Sequence, residues 1–191
     1  NVSGWNLADA DLFSRGSALP ADSAWVGASR LGFQSNRVPF ALDTLPEVAA
    51  ATRPPGDRTP QPVTLPVIVN GRIDRADDSD VFEFTGQAGK TVVAEVQARR
   101  LDSPLDSVVA LLDARGRVLA SNDDREDLTA GVNTHSADSY LSAKLPANGV
   151  YRIRISDTSR RGGEEYGYRL RLSEPRPDFD LRVVPSSLSL P

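Results

Sequence analysis

Cysteine and methionine are both absent from this chain of 191 residues. Without cysteine there can be no disulfide, no thiolate metal ligand and no cysteine nucleophile. Because a translation product starts with methionine, we expect the chain to be part of a larger protein, with any targeting segment upstream. No apolar run approaches the ~18 residues that a membrane-spanning helix needs, so we expect no membrane span in this fragment.

A surplus of positive charge is also lacking, since the net charge of the chain is −4. Nucleic-acid-binding proteins usually carry a basic surplus or a basic stripe that meets the phosphates. The composition therefore argues against a nucleic-acid partner.

Histidine is nearly absent: the chain has one, His135, in the run AGVNTHSADS. A Ser-His-Asp triad needs a nucleophile and a carboxylate held on either side of the imidazole. Ser136, Asp138 and Ser139 are neighbours in the sequence, but adjacency in sequence is not triad geometry. We therefore predict that the chain has no catalytic residues and is not an enzyme.

Long helical patterns are missing, and short apolar stretches separated by Gly, Pro, Asp and Asn clusters take their place. Residues 91–98, 150–156 and 166–172 alternate with period two, which is typical of strands with one buried face. Together with turns predicted at Asn70-Gly71, 114–116 and 146–149, about eight strands fall between residues 61 and 173. The pattern predicts an all-β fold, an antiparallel two-sheet β-sandwich of jelly-roll type.

Two proline-rich stretches divide the chain, TRPPGDRTPQP at 52–62 and EPRPD at 174–178. Proline cannot sit in a central strand, so the first stretch is predicted to be a linker. The predicted units are a partial β segment at 1–51, the linker at 52–62, the sandwich at 63–173, and a C-terminal linker with the start of a further strand at 174–191.

Five stretches of the predicted sandwich resemble, in order and spacing, the bacterial pre-peptidase C-terminal domain. They are VTLPVIVNGRID at 63–74, DDSDVFEFTGQAGKTVVAEV at 77–96, RRLDSPLDSVVALLDARGRVLASNDD at 99–124, DSYLSAKLPANGVYRIRISD at 138–157 and RRGGEEYGYRLRL at 160–172. Upstream, VSGWNL at 2–7 and SNRVPFALDTLPEV at 35–48 resemble the end of an immunoglobulin-like TIG domain. The resemblance implies a β-sandwich module of secreted proteins, often carried beside proteases.

Three functions are compatible with these features. The first is a non-catalytic accessory or attachment module of a larger secreted or cell-surface bacterial protein, whose partners are neighbouring domains or an extracellular polymer or protein. The alternative is a carbohydrate- or collagen-type ligand-binding module, which needs a row of exposed aromatic residues on one face of the sandwich. A hydrolase fragment would instead need His135 or a pair of carboxylates in a pocket.

Calcium is the one cofactor that the sequence suggests. DRADDSD at 74–80 holds four aspartates, and in an extended chain Asp78 and Asp80 project to the same side. Carboxylate oxygens are preferred calcium ligands, whereas a plain acidic turn would use them to accept backbone N–H groups. Calcium-binding relatives of the family place a Glu and an Asn-Asp pair in the linker, where this chain retains only Asp57. The candidate metal ligands are therefore Asp77, Asp78, Asp80 and Asp57.

Four arginines share the outward parity of two predicted strands: Arg152, Arg154, Arg169 and Arg171. If the two strands pair, these side chains form a basic stripe that suits an acidic polymer. The alternative is a solvated outer face that discourages contact between sheet edges.

Overall fold

Two five-stranded sheets, a smaller four-stranded sheet and a two-stranded ribbon make up the computed structural model, which describes residues 10–16, 23–126 and 135–176. Side chains of residues 15, 16, 23, 126, 135 and 136 are outside that description. Strands are numbered in chain order below. Within the described residues, no helix combines the length and the apolar character that are needed to cross a membrane.

The first large sheet holds, in spatial order, β11 (Val118–Asn122), β10 (Ser107–Asp113), β15 (Gly149–Asp157), β8 (Asp80–Gly86) and β6 (Gln61–Pro62). The second holds β14 (Tyr140–Lys144), β9 (Thr91–Gln97), β16 (Gly167–Ser173), β7 (Val67–Arg72) and β5 (Glu47–Ala49). Neighbouring strands are antiparallel except at one edge of each sheet, where β6 pairs with β8 and β5 with β7 in parallel. The predicted all-β two-sheet sandwich is confirmed.

The apolar core lies between these two sheets and consists of residues with inward parity. In β15, Tyr151, Ile153 and Ile155 are buried, whereas Arg152 and Arg154 between them are partly exposed. The predicted interior residues are all buried: Phe82, Phe84, Val96, Leu111, Leu141, Ile153, Ile155, Leu170 and Leu172. Strict alternation fixes which face of each strand is covered, because a shift by one residue would turn every apolar side chain outward.

The turn predicted at Asn70-Gly71 is wrong, because both residues lie inside β7 and pair with Arg169 and Tyr168 of β16. Gly71 is needed there for space rather than for a turn. The Tyr168 hydroxyl packs directly over its Cα, where a Cβ atom would clash with it. A glycine within a strand often marks such a close approach.

The predicted linker at 52–62 contributes its last two residues to the first large sheet. Gln61 and Pro62 pair with Phe82 and Glu83, and Val63 donates its N–H to the Glu83 carbonyl at 2.8 Å. Upstream, residues 47–49 pair with residues 68–70. These short parallel strands therefore cover one edge of each large sheet and tie the proline-rich connector to the sandwich.

The smaller sheet precedes the connector and comprises β1 (Asp11–Gly16), β2 (Ser23–Arg30), β3 (Phe33–Gln34) and β4 (Val38–Ala41). Its strand β4 lies beside a short 3₁₀ turn of the sandwich, Arg99–Leu101. The two-stranded ribbon is formed by β12 (Arg125–Glu126) and β13 (His135–Ser136). Residues 1–9 of the predicted β segment and residues 177–191 of the predicted C-terminal linker and strand lie outside the described residues.

Ile153 provides a test of the core. It is fully buried at the centre of β15, so Ile153→Ala leaves a cavity and should lower the free energy of unfolding by about 2–5 kcal/mol. Val150→Ala, at an exposed position of the same strand, is the matched control and should change stability by less than ~1 kcal/mol. Urea unfolding followed by circular dichroism measures both. Equal losses in the two variants would contradict this assignment of the core.

Candidate functional site

Three of the four predicted metal ligands line one shallow cleft of about 300 Å³ beside the C-terminal end of β7, and we refer to it as the acidic cleft. They are Asp57 from the connector at 52–62, Asp78 from the acidic loop at 74–79, and Asp80 at the start of β8. Asp74 lines the same acidic cleft, and so do Arg53 and Arg72. The fold thus brings the connector and the acidic loop together, although two guanidinium groups accompany the carboxylates.

Asp80 is the most buried of these acids and is held by the other sheet. The Tyr168 hydroxyl of β16 donates a hydrogen bond to Asp80 Oδ2, which links the two sheets across this edge. Burial is the main cause that raises the pKa of Asp80, and the nearby carboxylates of Asp78 and Asp74 raise it further. The bond from Tyr168 and the charge of Arg53 oppose that shift without cancelling it.

Asp77, the fourth predicted ligand, faces away from the acidic cleft. Its backbone is left-handed, with φ of 64°, and its carboxylate accepts a hydrogen bond from the Arg160 guanidinium. The Asp77 N–H donates to the Arg160 carbonyl at 3.1 Å, so the acidic loop is pinned to the loop that follows β15. The structure therefore separates Asp77 from Asp57 and Asp80, whereas Asp78 lines both the acidic cleft and the small cleft beside Asp77.

The remaining two acids accept hydrogen bonds from neighbouring residues. Asp57 Oδ1 accepts from the Thr59 N–H at 2.9 Å and from the Thr59 hydroxyl at 2.6 Å, and these bonds lower the pKa of Asp57. Asp78 Oδ1 accepts from the Ser79 N–H at 2.9 Å. Across the described residues, no group of three or more acidic or histidine side chains is arranged so that it could hold a metal ion.

The basic stripe does not form, because β15 and β16 lie in different sheets. The loop between them crosses from one sheet to the other, so their outward faces are on opposite sides of the sandwich. Arg152 Nε is 2.9 Å from Glu83 Oε2, and Arg169 Nη2 is 2.7 Å from Glu47 Oε1. Local carboxylates thus neutralise arginines on each face.

The described residues near His135 in the sequence have structural roles. His135 pairs through its backbone with Glu126 in the two-stranded ribbon, and its side chain lies outside the described residues. The buried Asp138 carboxylate accepts the N–H groups of Ala98 and Arg99 at 2.9 and 2.7 Å, which holds the 3₁₀ turn. The buried Ser139 hydroxyl donates to the Ser107 carbonyl at 2.6 Å. Both neighbours of the candidate triad therefore serve the fold.

A larger cleft, of about 590 Å³, opens at the end of the sandwich where β8 turns into β9. We refer to it as the end cleft. Its apolar lining includes Leu45, Leu65, Pro66, Phe84, Val92 and Leu145, and its charged residues are Lys90, Arg171, Glu174 and Arg176. Sequence patterns did not predict it, because its lining residues come from five separate segments of the chain.

Replacing Asp80 tests the electrostatics of the acidic cleft. Because the pKa of Asp80 is raised, the folded state keeps the proton to higher pH than the unfolded state does, and stability falls as pH rises through that window. Asp80→Asn should therefore raise the melting midpoint at pH 7 and remove this loss of stability above pH ~4.

Asp57→Asn is the matched control, since the lowered pKa of Asp57 contributes stability that is present at neutral pH and lost on acidification. It should not raise the midpoint at pH 7. Melting curves recorded from pH 3 to pH 8 measure the two effects. A midpoint at pH 7 that falls in Asp80→Asn would contradict the burial argument.

Comparison with known proteins identifies a family and a curated protein to which part of the chain is similar. Residues 78–157 match the family model described as the bacterial pre-peptidase C-terminal domain. A probable subtilase-type serine protease of Deinococcus radiodurans is 41% identical over 80 residues, which cover 41% of this chain and 10% of the protease. The chain thus spans about a tenth of the length of this curated relative.

Two solved structures were also similar. The pre-peptidase C-terminal domain of a Bacillus anthracis collagenase has a TM-score of 0.42 and 16% identity, and covers 64% of this chain and 100% of that domain. PliG of Aeromonas hydrophila, a periplasmic inhibitor of g-type lysozyme, has the same TM-score and identity over 61% of this chain and 100% of its own. At these scores neither similarity carries an argument. The family match does, and it confirms the resemblance to the bacterial pre-peptidase C-terminal domain for residues 78–157.

Proposed function

We propose that this chain is a non-catalytic accessory or attachment module of a larger bacterial protein that is secreted or displayed at the cell surface. The observation that carries the proposal is the family match over residues 78–157, which falls within the sandwich predicted at 63–173. In the Deinococcus relative, the matching stretch is 10% of a much longer protease. A stretch of that size within a protease supports a role beside a catalytic unit.

The polar groups of the sandwich support the same proposal. Asp157, which is buried, accepts the N–H groups of Ser159 and Arg161 at 3.0 and 2.9 Å through one oxygen. Its other oxygen accepts the Asp106 N–H at 3.1 Å. Like Asp138 and Ser139, this residue uses its polar atoms to hold loops, as buried polar groups usually do.

A carbohydrate- or collagen-type binding module is the alternative proposal. Such a surface uses a row of aromatic side chains that are exposed and rigid. Among the described residues, the large exposed aromatic side chains are Trp25, Phe33 and Phe40, and all three belong to the smaller sheet. On the sandwich, the Tyr140 ring is covered by the Arg125 guanidinium at 5.0 Å from its centroid. These positions favour the accessory role for the sandwich.

Activity assays test the proposal directly. The purified chain should not accelerate hydrolysis of peptide, ester or glycoside substrates beyond a buffer control. His135→Ala should give the same background rate, because no catalytic role is assigned to the histidine. Hydrolysis that is present in the parent chain and lost in His135→Ala would overturn the proposal.

Calcium binding at the acidic cleft stays a prediction of the sequence. The convergence of Asp57, Asp78 and Asp80 favours it, whereas the arginines in the cleft and the internal hydrogen bonds of Asp57 and Asp80 oppose it. An ion that binds only the folded chain would stabilise it by about 2.7 kcal/mol at a hundredfold excess over Kd. Without the linker Glu and Asn-Asp pair, we expect a Kd in the range of about 10⁻⁴–10⁻³ M.

Melting curves with millimolar calcium and with a chelator measure this effect. A calcium site predicts a higher midpoint with calcium, and Asp80→Ala should abolish the difference. Asp113→Ala, at an exposed turn on another part of the sandwich, is the control and should retain it. A midpoint that calcium leaves unchanged in the parent chain would show that the acidic loop is only a turn.

A further inference from the structure

The end cleft has the size and composition of a ligand site. Its volume of about 590 Å³ falls within the range of roughly 300–1,000 Å³ that is typical of small-molecule pockets. Its floor is apolar and its rim is charged, with residues that belong to both large sheets and to the segments beside them. None of these features is used by the proposed accessory role.

Two arginines at the rim share one carboxylate. Arg176 Nη2 donates to Asp43 Oδ1 at 3.0 Å, and Arg171 Nε lies 3.5 Å from Asp43 Oδ2. The second contact is an ion pair without a hydrogen bond, since Arg171 Nε is buried and has no hydrogen-bond partner in the described structure. Burial, and after it the charge of Arg176, lower the pKa of Arg171, while Asp43 and Glu95 oppose this shift.

Asp43 itself is held in place by the two residues that follow it. Its Oδ1 accepts the N–H groups of Thr44 and Leu45 at 2.7 and 3.1 Å. Burial raises the pKa of Asp43, but the bonds from Arg176, Leu45 and Thr44 outweigh that effect and hold the pKa below its ordinary value. The carboxylate is therefore ionised at neutral pH and fixes the position of both guanidinium groups.

Counted over the described residues, the charges at the rim leave one positive charge uncompensated. Lys90 Nζ is 3.2 Å from Glu174 Oε1, which accounts for one cation and one anion. Arg171 and Arg176 then share the single charge of Asp43. A ligand that brings one carboxylate against this rim completes the balance, and guanidinium groups bind carboxylates through strong charge-assisted hydrogen bonds.

We infer that the end cleft binds the free C-terminus of a peptide that ends in an apolar residue. A chain end of this kind carries one carboxylate directly beside an apolar side chain. The carboxylate would meet Arg171 and Arg176, and the side chain would lie on the floor formed by Leu65, Phe84 and Leu145. This inference goes beyond the proposed accessory function, because it names a ligand class for a specific part of the sandwich.

Nuclear magnetic resonance titration of the isotope-labelled chain tests the inference. The probe is acetyl-Ala-Ala-Phe with a free carboxylate, compared with the same peptide as its C-terminal amide. The acid should produce saturable shifts in amide signals around the cleft, and the amide should bind about tenfold more weakly, since one charge-assisted contact is lost. Shifts should also weaken at high salt.

Arg176→Gln supplies the matched variant, because this side chain is half exposed and its loss should leave the fold intact. It should weaken binding of the acid about tenfold and leave binding of the amide unchanged, as expected for a direct pair. Lys90→Gln should have a smaller effect of the same sign. Arg117→Gln, at an exposed turn that pairs with Asp113, is the control and should change nothing.

Several results would overturn the inference: no saturable shifts at millimolar peptide, equal binding of acid and amide, or equal binding by the parent chain and Arg176→Gln. Tighter binding of a peptide with an internal acidic side chain and an amidated end would also overturn it. Each of these results would leave the proposed accessory function untouched, since that proposal fails only if hydrolysis depends on His135.

Discussion

Burial of inward-facing side chains between two twisted sheets is the constraint on which the rest of this structure depends. Each strand places alternate residues in the core, and residues such as Ile153, Ile155, Leu170 and Leu172 are fully enclosed there. Apolar burial of this kind is the main favourable contribution to folding. Once it is fixed which residues of each strand face inward, the positions of the outward residues and of the loops follow.

The segment between the smaller sheet and the sandwich depends on this packing and in turn covers edges of both large sheets. Short strands at residues 47–49 and 61–62 cover one edge of each large sheet, and Asp43 holds two arginines near the end of β16. The pair between the buried Arg169 and the exposed Glu47 adds a contact on the same side, and removing Glu47 would leave the buried guanidinium with less compensation. The proline-rich stretch is therefore attached to the sandwich by a short strand near each of its ends.

The two clefts arise where the sheets end or separate. At the acidic cleft, the Tyr168 hydroxyl crosses from one sheet to Asp80 of the other, over a glycine that leaves it room. At the end cleft, apolar residues that continue the core reach the surface beside charged residues of the turn between β8 and β9 and of the C-terminal end of β16. At both clefts the two sheets do not cover each other completely. Such openings are where a sandwich exposes surfaces that ligands can contact.

The sequence by itself determined the all-β class, the inward parity of the main strands and the resemblance to the pre-peptidase C-terminal domain, because period-two alternation and the order of motifs are local features of the chain. It also identified the acidic residues that converge on one cleft. Only the tertiary structure decided that Asp77 faces elsewhere, that Asn70 and Gly71 are inside a strand, and that β15 and β16 belong to different sheets. The end cleft, too, was decided only by the tertiary structure. Each depends on which distant segments meet, and strand alternation fixes the face of a residue but not the strand beside it.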